Sequence, residues 1–160
     1  MTDLFQFSYE VFASADELNE QDLQLVKAAR EATNTAYAPY SNFWVGAAAL
    51  LQNGKIVTGS NQENVSYPVG TCAERVLLGT AAVAYPKTGI KILAVTYHNI
   101  KGSSTKPISP CGMCRQALTE FESYTQSTIR IILTGMEGKV YVLDSVSNLL
   151  PLSFSNEDMK

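Results

Sequence analysis

A chain of 160 residues, 46% of them apolar, is long enough to bury a sizeable hydrophobic core and too apolar to be disordered. Its net charge of −3, pI near 5.1 and lack of any Lys/Arg run count against an extended phosphate-binding surface. No stretch approaches the ~18 apolar residues of a bilayer span, and the first ten residues carry Asp3 and no basic region, so neither a membrane segment nor a secretory leader is expected and the chain reads as cytoplasmic.

Residues 5–11 alternate, with Phe5, Phe7, Tyr9 and Val11 separated by Gln6, Ser8 and Glu10, which is a period-two strand pattern. Asp16 is placed to cap a helix running to about Tyr37, with Leu18, Leu25 and Ala29 facing inward, and Pro39 ends it. Residues 43–52 read as a buried strand and 55–60 as its partner. Asn53-Gly54 between them is the dipeptide of a two-residue type I′ turn. The polar segment 61–71 precedes a helical stretch over 72–84, which Pro86 and Gly89 terminate. Residues 91–97 form a strand, 99–109 a loop rich in Gly, Ser, Thr and Pro, and 110–121 a second helix started by Ser109 and Pro110. Residues 129–133 and 139–143 are the last strands, joined by the short turn 135–138, and residues 145–150 a short helix closed by Pro151.

From residue 43 onward the order is β-β-α-β-α-β-β. It implies an α/β fold, a three-layer α/β/α sandwich around a five-stranded mixed sheet. The short 135–138 turn makes the last two strands antiparallel, because a parallel crossover needs about a dozen residues. With no repeat, linker or low-complexity tract, residues 1–160 read as a single domain.

The chemistry lies in two segments, Cys72-Ala73-Glu74-Arg75 and Pro110-Cys111-Gly112-Met113-Cys114-Arg115-Gln116, which together contain all three cysteines. An odd count argues against a disulfide framework, and clustered cysteines in a reducing compartment are more often ligands or nucleophiles. Both segments open a predicted helix, where the free N–H groups and helix dipole favour thiolate. Cys111 and Cys114, three apart, share a helix face. With Cys72 they make three soft ligands for a tetrahedral Zn²⁺ and leave the fourth position to water, as in a catalytic zinc site. Glu74 is too hard and too close in sequence to complete that shell easily and is better placed as a proton shuttle. Three thiolates outweigh the charge of one zinc ion and would blunt its acidity; Arg75 and Arg115 are the nearby cations that offset this. Either motif alone has a bland reading, since a lone C-x-x-C is commonly structural or redox-active. It is their combination, with no cysteine to spare, that points to catalysis. His98, the single histidine, has no partner motif and reads as structural, which removes histidine-based nucleophilic triads.

At these residues the chain resembles the cytidine deaminases of the small homotetrameric, three-cysteine type. The likeness runs from about Tyr37 to Phe154. It includes Tyr37-Ala38-Pro39-Tyr40-Ser41-Asn42-Phe43, Val45-Gly46-Ala47-Ala48, Gly59, Asn61, Glu63, Asn64, Ser66, Tyr67, the C-A-E-R segment, residues 109–116, Glu120-Phe121, Leu149-Leu150-Pro151 and Phe154. The resemblance implies one Zn²⁺ per chain on Cys72, Cys111 and Cys114, with Glu74 shuttling protons. It implies that Asn61 and Glu63 hold the ribose 3′-hydroxyl, that Phe43 packs against the pyrimidine, that the Ala73 backbone contacts the base, and that Arg75 moderates the thiolates. It also implies a homotetramer in which Tyr67 and Phe154 reach a neighbouring subunit's site.

Four features depart from the pattern. Residues 1–20 extend beyond the usual start, the 99–109 loop is long, Pro68-Val69-Gly70 is an unusual approach to Cys72, and the run 76–82 looks more like fungal blasticidin S deaminases. The expected function is deamination of cytidine and deoxycytidine, a small nucleoside substrate with no role for nucleic acid or membrane. The competing readings are an antibiotic deaminase of the blasticidin S type, editing of a base within nucleic acid, and a structural zinc module. The acidic pI and the short 135–138 hairpin count against editing. A structural module would need a fourth protein ligand, and there is no fourth cysteine.

Overall fold

A computed structural model of the chain describes residues 1–159. The elements are β1 (Glu10–Phe12), α1 (Glu20–Ala32), β2 (Phe43–Leu51), β3 (Ile56–Ser60), α2 (Ala73–Ala84), β4 (Ile90–Asn99), α3 (Gly112–Thr125), β5 (Arg130–Leu133) and β6 (Val140–Leu143). They build one mixed sheet in the order β1-β6-β5-β4-β2-β3. Among the described strands only β4 and β5 pair in parallel, and α3 is their crossover. The last two strands, β5 and β6, are antiparallel.

Side-chain alternation divides the core into two. Ala47, Ala49, Leu51, Leu93, Val95, Ile131 and Leu133 point to the face covered by Leu77 and Ala81 of α2 and Leu118 and Phe121 of α3. Their neighbours Ala48, Ile92, Ala94, Ile132 and Val142 point the other way, onto Leu25, Val26 and Ala29 of α1. A strand whose successive residues are buried on opposite faces must be apolar throughout, which is why β2 and β4 read as unbroken hydrophobic runs. An ion pair ties α1 to β5: the fully buried Asp22 accepts from Arg130 Nη1 at 2.8 Å and from Asn19 Nδ2 at 2.8 Å.

The sheet has six strands, not the five expected. The sixth is β1, in antiparallel register Glu10↔Val142, Val11↔Tyr141 and Phe12↔Val140. Alternation over residues 5–11 marks extended chain, but which edge it joins is a long-range choice that periodicity does not encode. Phe5, Phe7 and Tyr9 precede the paired residues and stay about half exposed.

Other boundaries move for local reasons. Asp16 falls in a short 3-10 turn capped by Ser14, and α1 starts at Glu20 because Asn19 Oδ1 accepts from the Asp22 N–H at 2.9 Å. Ser109 does not cap α3, whose N-cap is Cys111. The β2–β3 connection is not a type I′ turn. Gly54 alone takes positive φ, at 81°. Its N–H donates to the Leu51 carbonyl at 3.0 Å, and the Leu51 N–H donates to the Lys55 carbonyl at 2.9 Å. That is a three-residue loop with a glycine bulge.

Gly59 of β3 sets the position of α2. A methyl group there would lie 2.5 Å from the Ala73 carbonyl oxygen and 2.6 Å from the Leu77 nitrogen, so the helix backbone rests directly on the strand. Gly59→Ala must push α2 off β3. It should lower the unfolding free energy by about 1–3 kcal/mol, measured as a lower denaturant midpoint. An unchanged midpoint would show that the helix does not depend on this contact.

Candidate active site

Both candidate ligand segments end up at helix starts, as the sequence reading expects. Cys72 is the N-cap of α2 and Cys111 the N-cap of α3, and neither side chain caps its helix. Cys114 lies one turn into α3 and is fully buried. The first N–H groups of both helices, and the positive ends of their dipoles, therefore converge on one spot. Cys72 Sγ is 3.7 Å from Cys111 Sγ, Cys111 Sγ is 3.6 Å from Cys114 Sγ, and all three sulfurs lie within 4.8 Å of one another. A tetrahedron with Zn–S of about 2.3 Å has S···S edges of about 3.8 Å, so the donor set fits zinc.

Electrostatics support the same reading. The Cys72 thiol is lowered to about 6, first by the hydrogen bond from Cys114, with Cys111 and the Arg75 charge acting in the same direction. The Cys114 thiol is pushed far up by its hydrogen bond to Cys72, by burial and by the nearby Glu74. Three touching thiols cannot all ionise by themselves, and a divalent cation between them removes that conflict. Glu74, 4% exposed, has its carboxyl pKa raised by burial and by the charge on Cys72. Its neighbour Ala73 is fully buried where α2 meets Gly59. Arg115 is committed to backbone carbonyls. Its Nε donates to the Pro110 carbonyl at 2.8 Å and its Nη1 to the Leu149 carbonyl at 2.9 Å.

A second group of expected residues is held by the β2–β3 end of the sheet. Asn61 Oδ1 accepts from the Val45 N–H at 2.7 Å, and Nδ2 donates to the Phe43 carbonyl at 2.9 Å. Two of the four hydrogen bonds open to an amide side chain are thus used on β2. The segment is pinned on both sides, by bridges Tyr37↔Gln62 and Gln62↔Thr71. Glu63 Oε2 accepts from the backbone N–H of Tyr40 at 2.9 Å and of Ser41 at 3.3 Å. Slight burial raises its carboxyl, but the hydrogen bonds from Ser41 and Tyr40 outweigh it and hold the carboxyl below its ordinary value. Glu63 and Tyr67 share a cavity of about 390 Å³ with Tyr40, Ser41, Asn64 and Gly70. Tyr67 and Phe154 are 75% and 61% exposed.

Several neighbours of these residues escape the sequence reading. Tyr97 is buried, and the Phe43 ring stacks on it with centroids 4.7 Å apart and planes 16° apart. Tyr40 packs edge-on against Tyr67 at 5.9 Å. Gln116 Nε2 donates to the Phe154 carbonyl at 2.9 Å. The Tyr97 contact follows from the register Val45↔Tyr97, which is legible only once the strands are paired.

Residues 19–129 match the family model for the cytidine and deoxycytidylate deaminase zinc-binding region. The chain is 36% identical over 135 residues to a cytidine deaminase of Halalkalibacterium halodurans, covering 84% of this chain and 95% of that one. A blasticidin-S deaminase of Bacillus cereus is 30% identical over 140 residues, covering 86% and 95%. The fold superimposes on the 1.6 Å crystal structure of cytidine deaminase from Burkholderia pseudomallei with a TM-score of 0.73 and 40% identity, over 86% of this chain and 100% of that one. Matching sequence, matching fold and a zinc-compatible cysteine cluster within one molecule place the chain in the cytidine and deoxycytidylate deaminase family.

Proposed function

We propose that the protein deaminates cytidine and deoxycytidine to uridine and deoxyuridine, releasing ammonia, in pyrimidine salvage. The observation that carries this is a buried carboxyl, Glu74, beside three thiols gathered at two helix starts. Cys72, Cys111 and Cys114 hold the zinc. The chemistry the bound metal supplies is a water acidified toward neutrality. Glu74 takes a proton from the attacking water and delivers it to ring N3, so that the water oxygen bonds to an electrophilic C4. It then takes the remaining proton of that oxygen and gives it to the amino group, which leaves as ammonia when the C4–N bond breaks and the C4 carbonyl forms. Glu74 thus acts as general base and general acid in turn. Burial suits the first duty, because desolvation raises the carboxyl pKa and makes Glu74 a stronger proton acceptor than a solvated carboxylate. Arg75 offsets the excess negative charge of the thiolates.

Asn61 and Glu63 bracket the ribose 3′-hydroxyl, one donating and one accepting. Support comes from the hydrogen-bonding positions left free on the Asn61 amide and from the backbone N–H groups of Tyr40 and Ser41 that orient the Glu63 carboxylate. The Phe43 ring, backed by Tyr97, packs against the pyrimidine, and the Ala73 backbone meets the base. The active form is a homotetramer. Tyr67 and Phe154 present bare rings, as rings that complete a neighbour's site would in an isolated chain. The chain acts as one cytoplasmic domain over residues 1–160, with residues 1–20 as an extension and no nucleic-acid or membrane partner. No helix among the described residues is long and apolar enough to cross a membrane.

An antibiotic deaminase of the blasticidin S type is the second reading, favoured by the residue 76–82 run and the Bacillus cereus relative. The higher identity to cytidine deaminases ranks it below the first.

The purified protein should carry about one zinc per chain by elemental analysis. Glu74→Gln should keep that zinc while kcat falls by at least ~10²–10⁴-fold. Near-normal turnover in this variant would remove Glu74 from the mechanism. Free cytosine should be a very poor substrate, because sites built to bind a hydroxyl reject analogues lacking it by up to ~10⁴–10⁵. Cytidine, 3′-deoxycytidine, cytosine and blasticidin S compared in one ammonia-release assay check this, and faster turnover of blasticidin S would reverse the ranking of the two readings. Phe154→Ala should weaken catalysis and assembly together, read by steady-state kinetics and light scattering. A fully active monomer would show that each site is built within one chain.

A further inference from the structure

The C-terminal segment runs back along α3 and is laced to it by three side chains. At the far end of the helix, the Glu122 carboxylate accepts from the Ile129 N–H at 2.7 Å, from Ser145 Oγ at 3.1 Å and from Ser147 Oγ. Val146 between the two serines is fully buried. Two helical turns closer to the N-terminus, about 10 Å along the axis, Arg115 holds the Leu149 carbonyl. Beside it Gln116 holds the Phe154 carbonyl. The strap thus leads from the C-terminal end of α3 to the turn that bears Cys111 and Cys114.

Arg115 is the member that faces both ways. Its Nη1 grips the strap at Leu149, and its Nε grips the carbonyl of Pro110, the residue next to Cys111. Cys111 needs such support. It is exposed, it follows a long irregular loop, and its side chain caps nothing. A lysine could supply charge at this position but not two divergent donors in a fixed plane.

We propose that Arg115 is a positioning residue for the metal centre, joining the Pro110 carbonyl to the Leu149 carbonyl so that metal retention and docking of the C-terminal strap are coupled. The proposal rests on the reading that Cys72, Cys111 and Cys114 hold zinc. Groups that orient metal ligands from outside the ligand shell change affinity by about 10–100-fold when removed. Coupling between two binding events is reciprocal: a docked strap slows zinc loss, and bound zinc protects the strap.

The test uses the zinc-loaded full chain. Zinc release to excess chromogenic chelator is timed for wild type, Arg115→Lys and Arg115→Met. Both variants should release zinc about tenfold faster or more. Wild-type release from Arg115→Lys would show that charge alone suffices and would overturn the clamp. On wild type, hydrogen–deuterium exchange of residues 150–154 should quicken when the metal is stripped. Equal exchange in the loaded and stripped forms would overturn the coupling, and this measurement stands even if neither variant folds. Wild-type protein that neither carries nor takes up zinc would instead overturn the metal assignment, and the proposal with it.

Discussion

The structure depends on one electrostatic constraint: three thiols brought within hydrogen-bonding distance at the starts of two helices. Left alone they compete for a single negative charge, which is why one thiol is lowered and another raised. The helix ends supply partial positive charge, and a divalent cation supplies the rest. Each helix is tied to the sheet. The backbone of α2 rests on Gly59, and α3 is the crossover between the parallel strands β4 and β5.

Sheet topology explains why substrate-binding candidates gather at the same edge. In α/β sheets, ligands bind beyond the carboxyl ends of parallel strands, and α3 begins after the loop that leaves that end of β4. Strand β2 runs antiparallel to β4, so its first residue, Phe43, pairs with the last residue of β4, Asn99. Strand β3 reverses again, with Ser60 opposite Gly46, and delivers Asn61 to the same edge. The two backbone hydrogen bonds of Asn61 then lock it to β2. Phe43 and Asn61 reach one end of the sheet because of alternating strand direction, not because they are close in sequence.

The periphery is less finished than the centre. The cavity between Tyr40 and Tyr67 opens to solvent beside Glu63, and the ring of Phe154 is bare although its carbonyl is held. Exposed aromatic rings are costly in an isolated chain unless something covers them. The extra strand β1 lies at the opposite edge of the sheet from β3, so the N-terminal residues enlarge the fold without approaching the polar bracket.

Much of this was legible before any coordinates. The unbroken apolar runs of β2 and β4, the helices opened by the two cysteine motifs, and the antiparallel final hairpin all follow from local patterning and turn length. The grouping of Cys72, Cys111 and Cys114 followed from chemistry, because three cysteines and one acid at helix starts admit few alternatives. What the sequence left open was decided by long-range pairing. That includes the sixth strand on β6, the stacking of Tyr97 on Phe43, and the double grip of Arg115 on Pro110 and Leu149. It also includes the choice of Asn19 over Asp16 as the α1 cap, where two competent caps stood within one turn of each other. Periodicity reports which way a side chain faces, and motif spacing reports which residues share a turn. Neither reports which distant backbone lies opposite, because that depends on strand register and helix packing, which are set by the whole core at once.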